Sequence, residues 1–186
     1  MTDLHCFDDI HTHDASQATT GRAVVSQRPG EPMLSGGFYS VGIHPWDTDR
    51  PVTLSMLRRL VTDAADPRVV AIGECGFDAL RGAPLDEQRR LFDFHARLAE
   101  RFGKPLIIHA VRANSELMAA IGRHRPSVPW IIHGFRGKPE LARQLVRAGY
   151  SLSLGPRHNP AVPAAVPASR LYRETDSMPS PVDKHN

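Results

Sequence analysis

The sequence predicts an α/β protein folded as a compact (β/α)8 TIM-like barrel, on three observations. Short apolar runs recur along the chain, helical patterns separate the later ones, and a polar residue closes most of the runs. Several runs (VVAI, LIIH, WIIH) are continuous rather than alternating, as in strands covered on both faces of a parallel sheet.

The eight expected strands are Cys6–Ile10, Ala23–Val25, Phe38–Ile43, Val69–Ile72, Pro105–Ile108, Trp130–Ile132, Tyr150–Leu154 and Ser169–Tyr172. The first expected helix is capped by Thr53 and carries Leu54, Leu57, Leu60, Val61 and Ala64 at helical spacing. The second, Leu85–Phe102, has Leu91, Phe92, Leu98 and Phe102 on one stripe. The third covers roughly Asn114–Arg123. The fourth opens on Pro139 and stops at Gly149.

At 186 residues the chain is short for such a barrel, for which about 200 is the usual floor. The deficit has an address. Residues 14–37 show one weak strand and no helix, and residues 155–168 (GPRHNPAVPAAVPA) hold four prolines. After Asp176 only the polar SMPSPVDKHN follows. The expected organisation is therefore a barrel over residues 1–176, with several helices reduced and the C-terminal helix missing, and a polar tail over 177–186. Apolar surface beside strands 8, 1 and 2 should then stand exposed. Either a second copy covers it, giving a homo-oligomer, or the chain is marginally stable.

The remaining composition narrows the class. A hydrophobic content of 41% and a charged content of 23% describe a globular protein. No apolar run is long enough to span a membrane, and MTDLHCFDDIHTHD lacks the apolar stretch of an export signal. Cys6 and Cys75 form no disulfide framework and suit a reducing, cytoplasmic setting. The net charge of +3 tolerates an anionic partner without demanding one.

The polar residues at the strand ends carry the chemistry. His11 and His13 follow the first strand, His44 the third, Glu74 the fourth, His109 the fifth, His133 the sixth and Asp176 the eighth. In a (β/α)8 barrel those ends share one rim, where active sites are built. Singly, each has an ordinary structural explanation, a satisfied histidine or a turn carboxylate. Together, five imidazoles and two carboxylates at one rim point to metal. Imidazole favours Zn or Mn and carboxylate admits Mg, so the set suits two divalent cations. Some barrels bridge two metals with a carbamylated lysine. Lys104, Lys138 and Lys184 lie away from the strand ends, which leaves Glu74 as the bridging group.

The motifs DIHTHD, VGIHPWD, AIGECGFD, PLIIHAVRA, WIIHGFRGKPE and RETDSMP, in this order over residues 7–179, resemble the TatD family of metal-dependent deoxyribonucleases, and the spacing is most similar to its shorter bacterial subgroup. The resemblance implies that His11, His13 and Asp176 hold one ion, His109 and His133 the other, and Glu74 both. It also implies that Asp176 orients or deprotonates the attacking water and that His44 assists phosphate or metal. The implied activity is exonucleolytic hydrolysis of DNA. Members usually carry Arg two residues after the histidine matching His109; here Val111 stands there and Arg112 follows.

Arg112 and Arg136 are the expected substrate contacts, joined by Lys138, Arg157 and His158, with Trp46 and Phe135 placed to stack on bases. Other readings on the same plan are a PHP-type phosphoesterase, another amidohydrolase-like enzyme, or a metal-binding shell without turnover. His95 lies on the apolar stripe of its helix and is expected to pack against the barrel. Cys75, next to Glu74, should face away from the metals.

Overall fold

The computed structural model describes residues 3–178. Its eight strands are β1 (Asp9–Thr12), β2 (Ala23–Gln27), β3 (Phe38–Val41), β4 (Val69–Asp78), β5 (Leu106–Val111), β6 (Trp130–Ile132), β7 (Ser151–Leu154) and β8 (Leu171–Arg173). They form one sheet in sequential order, every neighbouring pair parallel. The α-helices are α1 (Leu54–Ala64), α2 (Leu85–Phe102), α3 (Asn114–His124) and α4 (Pro139–Ala148).

The barrel is closed by the segment just past β8. Asp176 N–H donates to the His11 carbonyl at 3.0 Å and His13 N–H to the Ser177 carbonyl at 2.8 Å. Thr175 adds its N–H and hydroxyl to the Asp9 carboxylate at 3.1 and 2.5 Å.

Alternation along the strands builds two cores. In β5, Leu106 and Ile108 face the helices while Ile107 joins an inner cluster with Leu4, Ile10, Val70 and Ile131. In β6, Trp130 and Ile132 face outward and Ile131 inward. The next inward positions are His109 and His133, so the same period of two that fills the barrel floor sends both imidazoles into its mouth.

Most strand boundaries differ from expectation by one to six residues, and three of the differences matter. The first strand begins at Asp9, because Asp3 caps a 3-10 turn over Leu4–Cys6. β4 continues six residues past Ile72 to Asp78, through Gly73 and Gly76. The short AVV segment is a full strand, covered by Ala18 of a 3-10 turn over Ala15–Thr20.

The expected band of exposed apolar surface near strands 8, 1 and 2 is absent. Among the described residues the exposed large hydrophobics are Leu34, Trp46, Leu54, Leu80, Met118 and Met178, and none lies on β8, β1 or β2. Arg173 is exposed and polar, Leu171 packs on the outer core, and His5 stacks on Tyr172 with ring centroids 4.2 Å apart. The argument for self-association rested on that band and falls with it. Most of the tail, residues 179–186, lies outside the described residues.

His95 packs between α2 and the barrel as expected. Its Nε2 accepts the Ile43 N–H at 3.0 Å and its Nδ1 donates to the Leu91 carbonyl at 2.8 Å. Burial pushes its pKa down to about 4, against the opposing hydrogen bond to Leu91. The unfolded chain therefore takes up a proton near pH 6.5 that the folded chain refuses until about pH 4. The stability tied to neutral His95 is complete above pH 6.5 and is lost as pH falls toward 4, by about 3 kcal/mol. Denaturant titrations from pH 7 to 4 should show His95→Gln flattening this slope; equal slopes in the two proteins would contradict it.

Candidate metal centre

Glu74 is the hub. It lies mid-way along β4, buried, with glycines on either side at 73 and 76. Its Oε1 faces His133 Nε2 at 2.6 Å, His109 Nδ1 at 2.9 Å and His44 Nε2 at 3.0 Å. Its Oε2 faces His11 Nε2 at 3.3 Å and His13 Nε2 at 3.6 Å. Asp176 Oδ1 lies 3.9 Å from His11 and 3.8 Å from His13, completing the Oε2 side. One carboxylate thus divides five imidazoles into a group of three and a group of two.

The strands explain the placement. His11 and His13 leave β1, His109 is in β5, His133 follows β6, and Asp176 hydrogen-bonds back to His11 across the barrel seam. Asp176 has a left-handed φ of 50°, which turns the chain there. Cys75 is buried in the outer core, away from the site.

The electrostatics suit a cation. Burial alone would raise the Glu74 pKa; the charge on His133 and the close imidazoles of His109 and His11 outweigh it and hold the carboxyl well below its usual range. Burial would depress His133, but Glu74 and Glu174 reverse this and lift it well above the ordinary histidine range. His13 is pushed down, first by burial and then by His11. Both ring nitrogens of His11 are buried without a hydrogen-bond partner. Such groups are costly in a folded protein unless something else takes their lone pair. The residues present therefore fit divalent metal. Four overlapping donor sets could each hold an ion: His11–Glu74–His133, His11–His13–Asp176, His44–Glu74–His109 and His133–Glu174–Asp176.

Two cavities open from the centre. One of about 370 Å³ is lined by Gln27, Arg28, Arg157 and Met178, the other of about 540 Å³ by Arg112, Asn114 and Arg136; Trp46, His109, His133 and Asp176 border both. Arg112 and Arg136 are exposed, Arg112 with a left-handed φ of 49°. Trp46 is exposed at the mouth, with the Arg81 guanidinium 4.1 Å from its ring. Phe135 borders the larger cavity but is buried in the outer core, which leaves little of its ring to stack on a base. Lys104 donates to the Ala64 and Asp66 carbonyls, away from the centre.

Two site carboxylates escaped the sequence reading. Asp78 lies buried at the end of β4, its Oδ2 3.1 Å from His109 Nε2. Burial would raise its pKa; hydrogen bonds from Trp46, Leu80 and His109 lower it. Glu174 is buried beside His133, accepts the Gly134 N–H at 2.6 Å, and lies 3.6 Å from His133 Nδ1. Their only sequence signal was membership of AIGECGFD and RETD, with Asp78 four residues beyond Glu74.

Comparison with known proteins agrees with this architecture. A family profile described as TatD related DNase matches residues 31–185. An uncharacterized metal-dependent hydrolase, YjjV, of Escherichia coli K12 is 30% identical over 97% of this chain and 80% of its own length. The 3'-5' ssDNA/RNA exonuclease TatD of Erwinia billingiae is 28% identical, over 88% of this chain and 64% of its own length. The deoxyribonuclease Tat-D of Schizosaccharomyces pombe is 30% identical over 61% of this chain and 39% of its own. The chain thus spans less than two thirds of these two nucleases. Among solved structures, the YjjV TatD homolog of E. coli superposes with a TM-score of 0.76 at 24% identity, covering 94% of this chain and 80% of that one. A hydrolase of the TatD family from Entamoeba histolytica gives 0.70 at 16% identity, over 94% and 75%. Among the described residues no helix is long and apolar enough to cross a membrane.

Proposed function

Given that this chain belongs to the TatD-related DNase family, we propose that it is a hydrolase of nucleic-acid phosphodiester bonds that works from a strand end with two divalent cations, Mg, Mn or Zn. The observation that carries the reading is Glu74, whose two oxygens face separate sets of imidazoles beside the orphaned ring of His11. In this reading His11, His13 and Asp176 would hold one ion, His109 and His133 the other, and Glu74 would contribute to both. Bound there, such ions would supply charge neutralisation at the phosphate and would acidify a water near neutral pH.

The chain's own groups do the rest. Asp176, partly exposed at the edge of both cavities, orients the attacking water and accepts its proton. His44 sits against Glu74 and faces the substrate. Arg112 and Arg136 hold phosphates in the larger cavity. Trp46 offers an exposed ring to a terminal base. The net charge of +3 suits a short segment of strand better than a long groove. We place the enzyme in the cytoplasm, which its two free cysteines support.

The deciding experiment incubates labelled single- and double-stranded oligonucleotides with Mg, Mn, Zn or excess chelator, beside a phosphomonoester control. Stepwise shortening of single strands, abolished by chelator, is expected. Full activity in chelator, or hydrolysis of the monoester alone, would sink the reading. Calorimetric metal titration should further separate the histidines. His109→Ala and His133→Ala are expected to weaken the same ion, and His11→Ala and His13→Ala the other; identical effects from all four would count against two separate ions.

A further inference from the structure

Three imidazoles touch Oε1 of Glu74, and what each meets on its far side differs. His44 Nδ1 accepts the backbone N–H of Trp46 at 3.0 Å. His109 Nε2 meets Asp78 Oδ2 at 3.1 Å. His133 Nδ1 faces Glu174 Oε1 at 3.6 Å, an ion-pair contact. A neutral imidazole has one N–H and one lone pair. A backbone amide can only donate, so the lone pair of His44 is engaged at Nδ1 and its proton sits on Nε2, facing the centre. An ionised carboxylate can only accept, so His109 keeps its N–H toward Asp78 and turns the Nδ1 lone pair inward. Glu174 stands on the Nδ1 side of His133 in the same way, so that Nε2 is the nitrogen turned inward, 2.6 Å from Glu74 Oε1.

We infer that these far-side contacts sort the three rings: His109 and His133 are built as metal ligands with Asp78 and Glu174 as their positioning residues, while His44 is built to donate a hydrogen bond to the substrate phosphate and does not bind metal. The inference rests on the two-metal reading and adds to it the separation of His44 from a donor set that distance alone would allow.

Trp46 ties the two choices together. Its backbone N–H sets His44, and its indole N–H donates to Asp78 Oδ2 at 2.6 Å, the same oxygen that meets His109. Asp78 is held in turn from α2. Gln88 Oε1 accepts the Asp78 N–H at 2.8 Å and Gln88 Nε2 donates to the Asp78 carbonyl at 3.0 Å. The other carboxylate oxygen of Asp78 accepts the Leu80 N–H at 2.8 Å. Both carboxylate oxygens are therefore in use, and an amide in its place must present NH2 to one of these donors.

Zinc alone is the probe. Wild-type protein, His44→Ala, His44→Gln and Asp78→Asn, each checked as folded by circular dichroism, are titrated with Zn by calorimetry. Histidine ring-nitrogen NMR of the wild-type protein then reads the tautomers. His44→Ala should bind as many ions as wild type while its kcat falls about 100- to 1,000-fold, the loss typical of one donor at a developing oxyanion. His44→Gln, which keeps an N–H donor, should recover part of that loss. Asp78→Asn should weaken one ion about 10- to 100-fold and leave the other unchanged. In the zinc-loaded wild type, His44 Nε2 should keep its proton and His109 Nδ1 should carry the coordination signature. A zinc-binding protein in which His44→Ala loses an ion, or in which Asp78→Asn changes neither affinity, would refute this sorting alone. A wild-type chain that binds no zinc would refute the two-metal reading together with it.

Discussion

Replacing Glu74 with Gln is expected to abolish hydrolysis, by at least about three orders of magnitude, while leaving the barrel folded. The substitution keeps the shape and removes the charge that both sides of the centre share. Metal ions contribute several kcal/mol each to such reactions, and every 1.36 kcal/mol is a factor of about ten in rate. The fold should survive because Glu74 makes no contact that the outer core depends on, and a buried carboxylate is itself costly. Rates on a labelled single strand beside thermal melts of both proteins check this. A variant retaining a tenth of the activity would remove Glu74 from the centre of the mechanism.

The largest loss of stability is expected from Gly76→Ala. Gly76 has a φ of 145°, and a Cβ built there would stand 2.0 Å from the His109 carbonyl oxygen. Gly76 is also the residue opposite His109 in the β4–β5 pairing, so the methyl group can be accepted only by parting the two strands. The expected cost is at least about 3 kcal/mol, from backbone strain and steric overlap together. Gly36→Ala is the control: its φ is 78°, yet nothing lies within 4 Å of the added Cβ, so it isolates the strain. Urea unfolding of both variants reads the difference. Equal costs would mean that the close approach of β4 and β5 is unimportant.

The strand and helix order was legible because apolar runs and 3.6-residue stripes act locally. α2 was found residue for residue, and Thr53 caps α1 as its position suggested. The candidate site was legible because six of the eight strand ends carried a histidine or carboxylate, and the barrel brings those ends together. What escaped depends on partners far apart in the chain. Nothing beside Asp78 signals that its carboxylate will meet His109, and nothing beside Glu174 signals Gly134. Phe135 was a candidate for stacking because it stands just past a strand end, but its side chain is buried in the outer core. The bare apolar band failed for a simpler reason. It counted missing helices without asking what the strands present outward, which at Arg173 is charge.

The seam between β1 and β8 has a consequence for the order of events during synthesis. His11 and His13 are synthesised with the first strand, and Asp176 follows only after the eighth. A growing chain halted before that point lacks the Asp176 carboxylate that completes the Oε2 side of the centre. The candidate site and the barrel seam are therefore finished in one step, by the same few residues.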